Sequence, residues 1–74
     1  MEKATIQKRL ANAIRKRREA LGFSQESFAD AIGMHRAYYG PIELGKKNLT
    51  IFTLSRVATG LKWDIATLAK HAGV

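Results

Sequence analysis

Short apolar stripes at helical spacing, separated by glycines, constrain the fold of this sequence more than any other feature. The apolar side chains recur at steps of three, four and seven residues, as they do on one face of a helix. No stretch shows the alternation with period two that is typical of strands. We therefore expect an all-α fold, a compact five-helix bundle, with helices over residues 5–21, about 24–32, about 36–44, 51 to about 59, and after residue 64.

Helix-ending and helix-capping residues support these boundaries. A glycine just past the last apolar position is the usual C-terminal signal, and a Ser, Thr or Asp just before the first is the usual N-cap. Ser27 stands where a capping box would have Glu or Gln, so that box is expected to be incomplete. The predicted stops are Gly22, Gly33, Gly45 and Gly60, and the predicted N-caps are Ser24, Thr50 and Asp64.

Length and cysteine content exclude several classes of protein. A chain of 74 residues holds one domain, expected over residues 1–74, with a core so small that dimerisation commonly supplements it. It has no cysteine, so disulfides, thiolate zinc sites and thiol nucleophiles are excluded. No apolar run approaches the roughly 20 residues that span a bilayer, and no signal peptide is visible. A cytoplasmic protein without membrane contact is expected.

The charge balance favours a polyanionic partner. Thirteen Lys and Arg against six Asp and Glu give a net charge of +7. The alternative is a solvated face that only keeps the protein soluble. Seven of the thirteen cations lie in the first 18 positions: Lys3, Lys8, Arg9, Arg15, Lys16, Arg17 and Arg18.

The two short helices around Gly33 suggest a helix-turn-helix, in which the second helix enters a DNA major groove. Around them stand the motifs LGFSQESFA at 21–29, IGM at 32–34, HRAYY at 35–39, IE at 42–43 and GKKNLTI at 45–51. With these motifs the sequence resembles the XRE family of helix-turn-helix proteins, which includes phage repressors and Cro, and it most resembles restriction–modification controller proteins and their relatives. The resemblance covers about residues 6–70 and implies a DNA-binding regulator whose recognition helix is the third.

Helical geometry separates two faces of the third helix. At about 100° per residue, Tyr39 and Ile42 fall on one side, which suits the core. The opposite side suits a groove and holds Arg36, Ala37, Gly40, Pro41 and Leu44.

Base contacts are predicted for Arg36, Ala37, Tyr38 and Pro41. Arg36 can donate two hydrogen bonds to guanine, and Ala37 and Pro41 can touch a thymine methyl. Arg36 can instead contact only solvent or phosphate, and Tyr38 can instead cover the edge of the core. Pro41 lacks an N–H for the Ala37 carbonyl, and Gly40 adds flexibility, so the helix is expected to kink or end early.

Phosphate contacts are implied chiefly by the resemblance. Gln25, at the N-terminus of the second helix, matches a glutamine that clamps a backbone phosphate, although it can be an ordinary surface residue. His35 can cap the third helix or touch phosphate; with only His71 besides it and no carboxylate cluster, no metal site and no cofactor are expected. Lys46, Lys47 and Asn48 follow the recognition helix where family members contact the DNA backbone.

The resemblance also implies an ion pair and a dimer interface. Arg18 and Glu43 match a pair that joins the first and third helices and orients the recognition helix; the alternative is two exposed charges. The dimer interface is predicted at Phe52, Trp63, Ile65 and Leu68, although Trp63 can instead complete the monomer core.

The expected function is that of a sequence-specific transcriptional regulator that binds a palindromic operator as a homodimer on double-stranded DNA. RNA polymerase or a toxin is a conceivable further partner. An antitoxin-like interaction module with secondary DNA binding is the main alternative, and a nonspecific binder of RNA or anionic membrane is another. An enzyme is not expected, because the sequence has no nucleophile–base pair, paired carboxylates or phosphate-binding glycine loop.

Overall fold

Five α-helices form the fold in the order that the sequence predicts. The computed structural model describes residues 2–74, and within that range it contains no strand, which confirms the all-α prediction. The first helix begins two residues earlier than predicted. The helices are α1 (Lys3–Ala20), α2 (Gln25–Ala31), α3 (Arg36–Glu43), α4 (Ile51–Gly60) and α5 (Ile65–Ala72).

All three predicted N-caps are confirmed. The side chain of each accepts a hydrogen bond from the backbone N–H three residues later, in the pairs Ser24–Ser27, Thr50–Thr53 and Asp64–Thr67. The prediction of an incomplete capping box on α2 is wrong. The Ser27 hydroxyl accepts the Ser24 backbone N–H at 2.9 Å, so a serine at this position completes the box in place of Glu or Gln.

The end of α4 differs from the sequence-based expectation. Gly60 does not stop the helix but belongs to its last turn. The left-handed residue is Lys62, with φ 63°, and its backbone N–H donates to the Thr59 carbonyl at 3.0 Å. The N–H of Trp63 donates to the Ala58 carbonyl at 2.9 Å, so the helix ends in a Schellman motif built without glycine.

The core lies beneath α2 and α3, which gives the helix-turn-helix a rigid base. Phe28 of α2 is at its centre, with its ring centroid 5.5 Å from that of Phe23 and 5.2 Å from that of Tyr39. Aromatic pairs at these distances add directional contacts to the apolar burial. The largest fully buried side chains are Tyr39, Phe28, Ile14, Leu61, Leu68 and Val57.

Candidate nucleic-acid interface

The outer face of α3 is open to solvent at both ends. Tyr39 and Ile42 are buried in the core, as the helical geometry predicts. Arg36 and Ala37 are exposed, and Leu44 at the C-cap is 63% exposed. The helix therefore presents one side to solvent, which is partly covered in the middle of the helix.

The predicted early end of α3 is wrong, while the kink at Pro41 stays a prediction. Pro41 lies inside a helix that continues to Glu43. Ala37 is exposed, so water can satisfy the carbonyl that Pro41 leaves without a donor. The C-terminus closes in a Schellman motif, in which the Lys46 N–H donates to the Pro41 carbonyl at 3.1 Å, around a left-handed Gly45.

A concave surface joins α3 to the N-terminus of α2. It is open to solvent, has a volume of about 650 Å³, and brings Gln25 beside three residues that were predicted to touch bases. We call it the recognition concavity. Its lining residues are Gln25, Arg36, Ala37, Gly40, Pro41 and Leu44.

Glu43, at the end of α3, is the acceptor at the centre of a buried polar network. The Arg18 guanidinium contacts both of its oxygens, from Nε to Oε2 at 2.6 Å and from Nη2 to Oε1 at 3.1 Å. The Tyr39 hydroxyl donates to Oε2, and the Gln25 amide donates to Oε1 at 3.1 Å. Arg18 also donates to the Phe23 carbonyl at 2.6 Å, which ties the loop before α2 to the same network.

These contacts decide the charge states of the network. Burial raises the pKa of the Glu43 carboxyl, but the hydrogen bonds from Arg18, Tyr39 and Gln25 outweigh it and hold that pKa below its ordinary value. Burial, with the hydrogen bond to Glu43, raises the pKa of Tyr39, so its hydroxyl stays protonated and remains a donor. The hydrogen bond to Glu43 raises the pKa of Arg18 against the effect of burial.

Gln25 is held in an orientation that suits an anion. One N–H of its amide donates to Glu43, and the amide nitrogen carries a second N–H that remains a donor. The side chain also lines the recognition concavity at the N-terminal end of α2. A phosphate oxygen at this point can accept from the second amide proton and from the free backbone N–H groups of the first turn.

The other predicted phosphate-contacting residues surround the ends of α3. His35 occupies the N-cap position, where its exposed side chain makes no capping hydrogen bond. Lys46 and Asn48 are exposed after the helix. The Lys47 ammonium lies 4.9 Å from the ring centroid of Tyr38, which is half-exposed, so a cation–π contact joins the loop to the recognition helix.

The predicted dimer residues differ in how far their side chains are exposed. Phe52 is 71% exposed, and its neighbour Ile51, which the sequence analysis missed, is 72% exposed. Ile65 is half-buried. Leu68 is fully buried in the monomer core, so its assignment to an interface is wrong; its place on the inner stripe of α5 leaves no surface for a partner.

Trp63 packs on its own chain, as in the alternative considered from the sequence. Its ring is half-buried and packs against the core. The His71 ring stacks on it with 4.3 Å between the centroids and 13° between the planes. The Arg17 guanidinium lies 4.9 Å from the Trp63 centroid.

Arg56 is a positioning residue that the sequence analysis missed. Its Nη2 donates to the Ile32 carbonyl at 2.6 Å and to the Gly33 carbonyl at 2.9 Å. These contacts satisfy carbonyls at the end of α2 and fix the turn that aims α3. Arg56 is the only charged residue of α4, and that isolation in an otherwise uncharged helix was the available signal.

Neither a membrane-spanning helix nor a cluster of metal ligands is present in the described residues. Across residues 2–74, no helix has the length and apolar character needed to cross a bilayer. No three His, Cys, Asp or Glu side chains in this range lie together in a way that could hold a metal ion.

A short exposed helix, held at a fixed turn beyond a second helix and flanked by cations, defines a helix-turn-helix domain of the DNA-binding class. The chain belongs to the HTH_3 helix-turn-helix family, whose model matches residues 14–68. This confirms the XRE-type resemblance. The family consists of DNA-binding transcriptional regulators and not of enzymes, so the chain is a helix-turn-helix regulator.

Known relatives include restriction–modification controllers. The control protein C.MunI from a Mycoplasma species is 42% identical over 64 residues, which are 85% of this chain and 86% of the relative. The crystal structure of the restriction–modification controller protein C.AhdI from Aeromonas hydrophila matches with a TM-score of 0.78 and 31% identity, over 84% of this chain and 94% of that one.

A larger regulator has the same fold in part of its chain. The structure of an HTH_3 family transcriptional regulator from Vibrio cholerae matches with a TM-score of 0.84 and 28% identity. The match covers 93% of this chain but only 39% of that one, so this chain spans about two fifths of that structure.

Proposed function

We propose that this chain is a sequence-specific transcriptional regulator that binds a palindromic operator as a homodimer, in the cytoplasm. The observation that carries the proposal is the recognition concavity, which combines base-reading chemistry on α3 with an anion-binding position on α2. Arg36 lies at the N-terminal end of α3, the end that approaches base edges when a recognition helix enters the major groove.

Sequence is read by Arg36, Ala37, Tyr38 and Pro41. Arg36 donates two hydrogen bonds to guanine O6 and N7, a contact that discriminates against the wrong base by about 1–3 kcal/mol. Ala37 and Pro41 offer apolar contact to thymine methyl groups. Tyr38 is half-exposed with Lys47 against its ring, and it contributes at the edge of this surface.

Phosphate contacts set the register of the protein on the duplex. Gln25 contacts one strand through its second amide proton, while Lys46, Lys47 and Asn48 contact the backbone beyond the other end of α3. His35 contributes at the N-terminal end. These contacts position the protein without reading bases.

The homodimer is supported by the exposed pair Ile51 and Phe52. Two large apolar side chains, each more than 70% exposed at the start of α4, favour a partner surface. In a two-fold dimer the recognition helices lie about 34 Å apart, one turn of DNA, which makes the operator palindromic. A toxin is the other conceivable occupant of this surface.

The genes under control are those of a restriction–modification system. This part of the proposal rests on the likeness to the control protein C.MunI and to the controller C.AhdI, over most of the length of each protein.

Selection of duplexes from a random pool tests the proposal. We expect a palindromic consensus, with Arg36→Ala losing affinity for that consensus far more than for random duplexes. Equal loss on both overturns the base-reading role of Arg36. Recovery of no palindrome overturns dimeric recognition, and purification of the chain in a fixed ratio with a second protein that masks DNA binding favours the antitoxin alternative.

A further inference from the structure

A second concave surface continues from the recognition concavity onto α1. It lies between α1 and the C-terminal end of α3 and has a volume of about 250 Å³. Leu44 lines both surfaces, so they adjoin at this residue. The side chains on the α1 wall are Lys8, Ala11, Asn12 and Arg15.

The exposed polar members of this wall form one stripe on α1. Lys8, Asn12 and Arg15 are spaced by four and three residues, so they follow one another along the same side of the helix. We call Lys8, Asn12 and Arg15 the α1 stripe. Arg15 Nη2 donates to Asn12 Oδ1 at 2.6 Å, which holds the guanidinium against the helix rather than leaving it free to move.

The α1 stripe starts close to the backbone that follows the recognition helix. A Cβ placed on Gly45 would lie 3.3 Å from Lys8 Cα, so α1 and the loop after α3 touch at this point. Lys46 is the next residue of that loop and is exposed. The cations at the C-terminal end of α3 therefore come from two segments far apart in the sequence.

Two carboxylates lie near the stripe without pairing with its cations. Glu43, which lines the same concave surface, accepts both contacts of the Arg18 guanidinium. Glu19, the next residue of α1 on this side, has Oε2 3.8 Å from Arg18 Nη2. Within residues 2–74, neither Lys8 nor Arg15 has a carboxylate within 4.0 Å, so both side chains face solvent unpaired.

The dimensions of the DNA major groove determine which part of the duplex the α1 stripe can contact. The major groove is about 12 Å wide and admits one helix of about 10–12 Å diameter. A second helix therefore does not fit in the groove beside the recognition helix, and side chains on the DNA-facing side of such a neighbour meet the phosphodiester backbone that borders the groove. In this fold α1 packs against α3, and the α1 stripe lines the same concave surface as the exposed Leu44.

We propose that the α1 stripe is an additional phosphate-binding surface, which contacts the DNA backbone bordering the groove at the C-terminal end of α3. Lys8 and Arg15 each neutralise a phosphate, and Asn12 positions Arg15. This inference rests on the proposed DNA-binding function and enlarges its footprint beyond Gln25, His35 and the loop Lys46–Asn48.

Salt dependence of binding measures these contacts directly. The variants are Lys8→Gln, Arg15→Gln and the two combined, and glutamine keeps the helix propensity at these exposed positions. Lys16→Gln with Lys70→Gln removes the same charge at exposed positions that line neither concave surface. The dissociation constant is measured by fluorescence anisotropy at several salt concentrations, on the selected operator and on a random duplex.

Each stripe substitution removes one phosphate contact from each protomer of the proposed dimer. It is therefore expected to reduce the slope of log affinity against log salt by about 1.8, on both duplexes alike, and the combined variant by about 3.6. The control pair is expected to keep the wild-type slope. If the combined variant and the control pair have the same salt slope, the proposed phosphate-binding role of the α1 stripe is overturned. If the proposed function fails instead, the wild type shows no preference for any duplex. The salt slopes measured on random DNA still show whether the α1 stripe contacts phosphate.

Discussion

Arg18 of α1 and Glu43 of α3 form a bidentate ion pair across the base of the recognition helix, with Nε 2.6 Å from Oε2. Both side chains are removed from water, with 8% and 2% of their surface exposed. Glu43 is also hydrogen-bonded to Tyr39 and Gln25, so the same carboxylate connects the core, the recognition helix and the proposed phosphate contact. The pair is therefore placed to fix the orientation of α3 relative to α1 and, through the Gln25 hydrogen bond, relative to α2.

Breaking one side of the pair is expected to be costly. Arg18→Met leaves the Glu43 carboxylate buried without its cation and should lower the free energy of unfolding by about 3–5 kcal/mol. Arg18→Met combined with Glu43→Leu removes both charges and should recover only part of that loss. Burial of the pair itself is nearly neutral, but the buried Tyr39 hydroxyl loses its acceptor. Urea denaturation followed by circular dichroism measures both variants.

The double variant then separates stability from orientation. We expect it to fold but to bind the selected operator more weakly than the wild type, because Gln25 loses the acceptor that orients its amide. Measurement of binding by anisotropy, under salt conditions identical to those for the wild type, decides the point. Unchanged operator affinity in the folded double variant would remove the orienting role.

The lowered pKa of Glu43 makes stability depend on acid pH. A carboxyl whose pKa is lower in the folded state than its ordinary 4.5 contributes stability that is complete above that value and is lost as pH falls through the folded pKa. The hydrogen bonds between Asp64 and Thr67 also lower the pKa of the Asp64 carboxyl. Asp64→Asn removes that titration and keeps a side chain that can cap α5.

Unfolding at a series of pH values from 7 to 2 tests this dependence in the Asp64→Asn background. We expect constant stability from pH 7 to about 5 and a decline below about 4.5. Adding Arg18→Met and Glu43→Leu to Asp64→Asn should flatten the decline. An equally steep decline in that triple variant would assign the acid sensitivity to other groups.

The sequence predicted the features that depend on helical periodicity or local capping. It did not predict the features that depend on contacts between residues distant in the sequence. The burial of Tyr39 and Ile42 followed from 100° steps along one helix, and the three N-caps followed from local chemistry. The assignment of Leu68 to an interface failed because the sequence pattern of an apolar residue on α5 is the same whether the core or a partner covers its side chain. Arg56 was missed because its acceptors, the carbonyls of Ile32 and Gly33, lie in the turn after α2, more than 20 residues away in the sequence.

Gly60 shows the same limit, because its role is set by α2. A Cβ at Gly60 would overlap Cγ2 of Ile32 and press on the Phe28 ring at 3.2 Å. Ile32 is β-branched and Phe28 is fully buried, so neither moves aside easily. Gly60→Ala is therefore expected to lower the free energy of unfolding by about 1–3 kcal/mol, although alanine is the better helix former.

Gly40 provides the matched control. It also lies inside a helix, but a Cβ built there meets nothing within 4 Å. Gly40→Ala should raise the free energy of unfolding by about 0.5–1 kcal/mol through helix propensity alone. Both variants are measured by urea denaturation, and equal effects of the same sign would contradict the packing explanation for Gly60.

The left-handed Lys62 predicts a stabilising substitution. A residue with a Cβ pays about 1–2 kcal/mol in this conformation, while glycine loses about 0.5–1 kcal/mol of extra chain entropy on folding. Lys62→Gly should therefore raise the free energy of unfolding by about 0.5–1 kcal/mol. Gly22, at φ 85° with open space around it, is the converse test: Gly22→Ala should destabilise, and a thermal melt that ranks the two variants otherwise would contradict the argument.

Phe52 provides the test of self-association. Its ring is 71% exposed and contacts its own chain chiefly through Arg56, whose guanidinium carbon lies 5.8 Å from the ring centroid. Phe52→Asp should therefore leave the monomer fold intact, because little of the ring is buried, yet should place a charge in the proposed interface, where desolvation opposes it. Sedimentation equilibrium is expected to give a dimer for the wild type and a monomer for Phe52→Asp, with operator affinity falling as the second half-site is lost. Leu44→Asp changes a side chain that is 63% exposed and lies on the proposed DNA side, and this variant should remain dimeric. A Phe52→Asp protein that sediments as the wild type does would place the interface elsewhere on the surface.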